Sequence, residues 1–273
     1  MATLFPVAGP TLPEYQSLLL KGDYHESAPI YLALSHVRAY DAAKVLILAP
    51  SRTRFRDEVK QLKDEWLNEH GGTGKVAGAA MRVEILYPPT PSHLALLLSF
   101  FHEALPTGND FLHPKTTFSV APSLIIIYEP SSYFSETSDA TVSSYMTIIT
   151  QALSSVATLS GRSGKNTSLA VFDAGLDKLR LPILLPVAVA EEATDKESTR
   201  VGPRRESVAH LVQRYFQWIG TVEEDDAHQG ADERACTLRL VRVQGAGTQN
   251  AEEDIVWHWK RRVDPESGTS FAF

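Results

Sequence analysis

Residues 123–128 read Ser-Leu-Ile-Ile-Ile-Tyr, the most hydrophobic run in the chain. Four large apolar residues in succession, three of them β-branched, are too few for a typical helix. They suit a strand that is buried on both faces. Three further runs have the same character: Lys44–Pro50 (KVLILAP), Arg82–Tyr87 (RVEILY, stopped by Pro88 and Pro89) and Ser168–Asp173 (SLAVFD). Helix-length stretches separate them. Ile30, Leu34 and Val37 are spaced for one face of a helix over Ile30–Tyr40, with Pro29 in the first turn. Phe55, Val59, Leu62, Trp66 and Leu67 predict one amphipathic helix over Phe55–Glu69. Ser92–Leu105 and Ala140–Leu159 read likewise. Strands alternating with helices predict right-handed crossovers and an α/β fold built on a doubly wound, mostly parallel sheet.

The last third changes character. Leu181–Val189 contains two prolines and predicts an edge or irregular strand. Residues 191–207 (EEATDKESTRVGPRRES) are polar and charged, which predicts a mobile loop. A short helix at Val208–Phe216, a strand at Trp218–Val222 and alternating strands at Thr237–Val243 and Ile255–Arg262 predict a C-terminal antiparallel hairpin. Polar stretches 223–233 and 244–254 read as loops, and Asp264–Phe273 as a frayed tail. The expected organisation is one domain over 1–273, with a core of about 15–245 and a C-terminal strand and tail at 255–273.

Composition narrows the functional classes. The chain has 273 residues, and its net charge of −7 repels polyanions as a whole, so nucleic-acid contact would need a local basic patch or a partner. No apolar run reaches the ~20 residues of a membrane span, and the N-terminus has no basic start of a secretory signal. The one cysteine, Cys236, cannot form an internal bridge, which favours a reducing compartment. The nine histidines form no zinc-ligand pattern with one another or with Cys236. Ser51, Ser131 and Ser163 lie in no Gly-x-Ser-x-Gly elbow, so hydrolase chemistry has no signature here. Gly71-Gly72-Thr73-Gly74-Lys75 is glycine-rich but follows a helical stretch, and it reads as a flexible connector.

The order of elements resembles the RecA core, and in particular the recombinase paralogues of eukaryotes such as the Shu-type mediators. Leu20–Ala33 (LKGDYHESAPIYLA) occupies the phosphate-loop place. Lys44–Val59 (KVLILAPSRTRFRDEV) is similar to the strand and arginine-containing turn that follows. Ser123–Tyr133 is similar to the strand ending in a metal-linked aspartate. Thr147–Ala174 resembles the long helix and its following strand, Gly175–Ser207 the second DNA-facing loop, and His210–Val243 the closing helix and hairpin.

The departures matter most. A phosphate loop needs glycines, a lysine and a Ser/Thr in sequence to wrap phosphates and hold magnesium. Lys21-Gly22-Asp23-Tyr24-His25-Glu26-Ser27-Ala28-Pro29 offers one glycine, two acids, a bulky ring and an imino acid. Tyr128, followed by Glu129, stands where the aspartate belongs, and Ser51-Arg52 stands where the water-activating glutamate belongs. The expectation is a pseudo-ATPase with no cofactor.

Basic residues suggest what such a chain could touch. Arg162 and Lys165 lie in a Gly/Ser loop, Lys178 and Arg180 follow the fourth strand, Lys196, Arg200, Arg204 and Arg205 sit in the long polar loop, and Lys260, Arg261 and Arg262 follow Trp257 and Trp259; all are candidate contacts for a phosphate backbone. Solvated surface charge is the alternative, because Glu191, Glu192, Asp195, Glu197 and Glu206 dilute the loop; core packing is the alternative for the Trp pair. Arg52, Arg54 and Arg56 either face a partner or solvate a helix start. The resemblance implies a non-catalytic subunit in the nucleus that scaffolds a second RecA-like subunit, assists a recombinase and meets single-stranded DNA. A structural subunit of an Elongator-type tRNA-modification assembly in the cytoplasm, or an enzyme with a nonstandard nucleotide site, are the alternatives.

Overall fold

The computed structural model describes residues 2–6, 9–40, 43–104, 115–135, 140–164, 166–183, 204–230, 233–243, 254–264 and 266–273. In chain order the elements begin with β1 (Ser17–Gly22), α1 (Ala28–Ala39), β2 (Val45–Leu48), α2 (Arg52–Leu62), α3 (Glu65–His70), α4 (Gly74–Ala80) and β3 (Val83–Leu86). Next come α5 (Pro91–Phe100), the short pair β4 (His102–Glu103) and β5 (Thr117–Phe118), β6 (Leu124–Tyr128), α6 (Val142–Ser163) and β7 (Ser168–Asp173). The remainder is β8 (Arg180–Pro182), β9 (Arg205–Ser207), α7 (Val208–Val212), β10 (Trp218–Gly230), β11 (Glu233–Arg242), β12 (Asp254–Asp264) and β13 (Gly268–Ala272).

One nine-stranded sheet runs in the order β13-β12-β11-β10-β1-β7-β6-β2-β3 among the described residues. From β10 to β3 every neighbouring pair is parallel; from β10 to β13 every pair is antiparallel. The four apolar runs stand side by side with β1, as the alternation of strands and helices predicts. Side chains alternate between two cores, which is what a strand buried on both faces must do. Leu18, Leu20, Val45, Ile47, Leu124, Ile126, Ala170 and Phe172 join the core under α1 and α2. Leu19, Leu46, Leu48, Ile125, Ile127, Leu169 and Val171 join the core under α5, α6 and α7. Helices thus cover both faces, and the fold is the doubly wound, mostly parallel α/β class.

Several expectations need correcting. The helix predicted over 55–69 is two helices, broken where Lys63 takes a left-handed φ of 47°. The cause is distant: Thr269 donates its N–H to Lys63 O (2.9 Å) and its hydroxyl to Leu62 O (2.6 Å). Asp64 then caps α3 through Leu67 N at 3.0 Å. The tail read as frayed is β13, paired along β12 from Gly268 to Ala272. Phe271 and Phe273 pack against Phe5, so aromatic burial holds the tail down. The loop expected at 223–233 is largely strand, because β10 runs to Gly230 and β11 starts at Glu233; the C-terminal hairpin is therefore a four-strand meander. The glycine-rich connector at 71–75 opens α4 at Gly74, although it follows α3 and not a strand. Most of Leu181–Val189, of the polar loop at 191–207 and of the loop at 244–254 lies outside the described residues.

Candidate functional site

Parallel strands end together, and the carboxyl ends of β1, β7, β6 and β2 bring the expected site residues into one region. The loop after β1 begins at Gly22, where φ is +84° and an added Cβ would lie 2.1 Å from Val222 O. Only glycine can bring β1 that close to β10. Asp23 N donates to Val222 O (3.1 Å), Tyr24 N to Gly22 O (2.9 Å) and Ala28 N to His25 O (2.9 Å). Pro29, in the first turn of α1, has no N–H to offer. Lys21 points its ammonium at Asp177, 2.8 Å away.

The side chains of this loop fold inward. Tyr24 packs edge-on against Phe172 and donates its hydroxyl to Glu129. His25 is buried among Phe5, Tyr31 and Phe271, with Nδ1 2.9 Å from Ser27 Oγ. Burial, with a smaller push from Arg261, drives its pKa down to about 3, so the ring is neutral at physiological pH. Ser27, at the N-cap of α1, gives its hydroxyl to Asp64 (2.6 Å) and leaves the helix end without a side-chain cap. Asp64, almost fully buried, also accepts from Tyr31 (2.6 Å).

At the end of β6, Tyr128 donates to Glu58 (2.8 Å), whose other oxygen accepts from Arg54 (2.7 Å). Glu129 follows with φ 49° and ψ 50°, a left-handed conformation that is costly for a residue with a Cβ. It is held there from several sides. Its N–H donates to Phe172 O (2.7 Å), and its Oε1 accepts from Tyr24 and from Ala174 N (3.1 Å). Beside it, at the end of β7, Asp173 is completely buried. Its Oδ2 accepts from Ser131 N (3.1 Å) and Tyr145 (2.7 Å), while Oδ1 has no hydrogen-bond partner. Burial, then the Glu129 charge, pushes the Asp173 carboxyl up to about 7; burial also raises Glu129.

A cleft of about 660 Å³ opens between the segments after β6 and β7. Glu26, Glu58 and Glu129 line it together with Arg54, the Ser131, Ser132 and Ser135 turn, and Lys178, Arg180 and Arg205. Arg180 is opposite Ser207, and Arg205 opposite Pro182, on the β8–β9 ribbon. Residues opposite one another, or two apart, share a face, so the two guanidinium groups lie on the same side. Among the described residues there is no group of three or more His, Cys, Asp or Glu side chains able to hold a metal.

The structure gathers Lys178, Arg180 and Arg205 at the cleft but separates other expected contacts. Arg162 ends α6, before β7 begins, so it lies at the opposite end of the sheet, about 20 Å away along a six-residue strand. Arg204 is exposed and pairs with Glu206 at 2.6 Å. Lys260 and Arg262 share Glu233 (3.2 and 3.3 Å), and Arg261 pairs with Glu224 on β10. Trp259 is core, as its alternation predicts, and Trp257 is partly buried. Lys165, Lys196 and Arg200 lie outside the described residues. Of the turn arginines, Arg54 lines the cleft, whereas Arg56 pairs with Asp57 at 3.0 Å on the surface. Sequence reasoning passed over Asp173 and Tyr145. The available signal was a carboxylate closing an apolar strand at the carboxyl edge of a parallel sheet.

No protein-family model matches the chain, and no curated protein matches it. No helix among the described residues is long and apolar enough to cross a membrane. Among solved structures, the chain is similar to one described as the crystal structure of the RadB recombinase, with 10% identity, a TM-score of 0.45, and coverage of 93% of this chain and 89% of that one.

Proposed function

We propose that the chain is a non-hydrolysing RecA-like subunit of a recombination-mediator assembly of the Shu type, scaffolding a second RecA-like subunit and helping to hold single-stranded DNA for a recombinase in the nucleus. The observation that carries the reading is Tyr24. Its ring and hydroxyl fill the loop between β1 and α1, and that loop's amides at Asp23, Tyr24 and Ala28 already serve backbone carbonyls. A triphosphate with magnesium does not fit this loop. Asp23 and Glu26 would repel it, Lys21 is engaged with Asp177, and no N–H of Pro29 can reach it.

The order of elements supports the RecA-like part. The loop at 22–27 opens α1, β2 leads into the Ser51–Arg52 turn, β6 ends at Tyr128–Glu129, and α6 precedes a strand ending in the polar Asp173. The cations Lys178, Arg180 and Arg205 support contact with a phosphate backbone, since they flank one cleft and the described residues give them no acidic partner.

The test is single-stranded DNA binding by the chain together with its companion subunit, across a salt titration. Arg180→Glu with Arg205→Glu removes two phosphate contacts, so the slope of log affinity against log salt should become shallower by about 1.4. Unchanged affinity and slope would take DNA away from this cleft.

A further inference from the structure

Three chain segments meet at one pair of carboxyls. Glu129 accepts from Tyr24 of the loop after β1 and from Ala174 N of the segment after β7. Asp173 accepts from Ser131 N in the turn after β6 and from Tyr145 on α6. Lys21 and Asp177 join the first and third segments again on the outside. Each tie uses a carboxyl oxygen as acceptor, and Asp173 Oδ1 is buried with no donor.

We propose that Glu129 and Asp173 form a proton-operated latch on the cleft: while one of the two carboxyls is protonated the three segments stay tied, and when both are ionised the segments part. The physical basis is that two neighbouring carboxylates cannot both be charged cheaply inside a protein. The groups facing the pair do little to offset two charges. β1 presents Lys21 opposite Asp173 in register, but its ammonium is on Asp177. The loop after β1 presents Tyr24 and Glu26, β6 presents Tyr128, the turn after β6 presents the Ser131 hydroxyl, which favours an ionised Asp173, α6 presents Tyr145, the turn after β7 presents Asp177 and Lys178, and the β8–β9 ribbon brings Arg180 and Arg205 to the cleft that Glu129 lines. On α2, Arg54 favours an ionised Glu129, but Glu58, which holds Arg54 at 2.7 Å, opposes it. Glu129 also sits in a left-handed backbone that its hydrogen bonds must maintain, so the turn has somewhere to relax when they fail. The elevated Asp173 carboxyl places the transition near neutral pH.

The test is site-resolved amide exchange on the full chain from pH 6 to 8.5, corrected for intrinsic base catalysis. The Ser131 and Ala174 amides report the two ties, and Ile126, in mid-β6, serves as a control. Their protection should fall roughly tenfold or more relative to Ile126 above pH 7. Asp173→Asn, neutral at every pH, should keep both amides protected throughout. Protection that tracks Ile126 in the wild type, or falls equally in Asp173→Asn, overturns the latch. Carboxyl-carbon titration of the wild type provides a check that needs no variant to fold: a midpoint near 7 for Asp173 supports the proposal, and one below 5 overturns it.

Discussion

Asp173→Asn should stabilise this protein at pH 8 and destabilise it at pH 4, where only the cost of the unmet amide donor remains. The folded chain holds the Asp173 proton up to about pH 7, whereas an unperturbed aspartate releases it at 3.8. Between those values the folded state carries a proton that the unfolded state has lost, so stability falls as pH rises through the window and is level above it. Three pH units at 1.36 kcal/mol each put the full penalty of the ionised side chain at about 4 kcal/mol. Asparagine removes the charge, and its Oδ1 can still accept from Ser131 N and Tyr145. Its Nδ2 would take the place of the partnerless oxygen, and an unmet buried donor costs about 1–3 kcal/mol, so the net gain at pH 8 is about 1–3 kcal/mol. The assay is urea unfolding of both proteins at pH 4 and pH 8, with equal m-values as the sign that the denatured state is unchanged. Equal stability changes at the two pH values would refute the buried-charge argument. A loss at pH 8 would mean that the groups around Asp173 stabilise it as an anion.

Two further substitutions test the loop and its support. Gly22→Ala places a Cβ 2.1 Å from a backbone carbonyl at a positive φ, and should cost about 2–4 kcal/mol in chemical unfolding; a change below 0.5 kcal/mol would show that β1 and β10 can separate freely. Asp64→Ala strands the Ser27 and Tyr31 hydroxyls and uncaps α3, and should cost about 3–5 kcal/mol, read as a lower urea midpoint.

The parallel half of the sheet was legible because its strands are apolar on both faces, and nothing but a two-layer burial suits Leu124–Ile127 or Leu169–Phe172. β1 was harder to see, since Ser17–Gly22 is short and its last two residues are polar or bare. The break at Lys63–Asp64 could not be read locally: the groups that impose it, Thr269 and Ser27, come from the far end of the chain and from a different helix start. The polar stretch at 223–230 also misled, because backbone pairing with β11 outweighs composition when a neighbouring strand supplies the register. At the site, the sequence exposed what a phosphate loop lacks but not what replaces it. That Tyr24 reaches Glu129 across 105 positions depends on β1 and β6 ending at the same edge of the sheet, with β7 between them.

The most direct measurement is the melting temperature of the full chain at pH 6, where the Tyr24–Glu129 tie holds, with and without millimolar Mg-ATP. With Tyr24 packed on Phe172 and bonded to Glu129, no shift is expected. A ligand present at a hundred times its Kd must add about 2.7 kcal/mol of stability, so a clear rise that Mg-ADP reproduces and that vanishes when Lys21 is replaced would contradict the account.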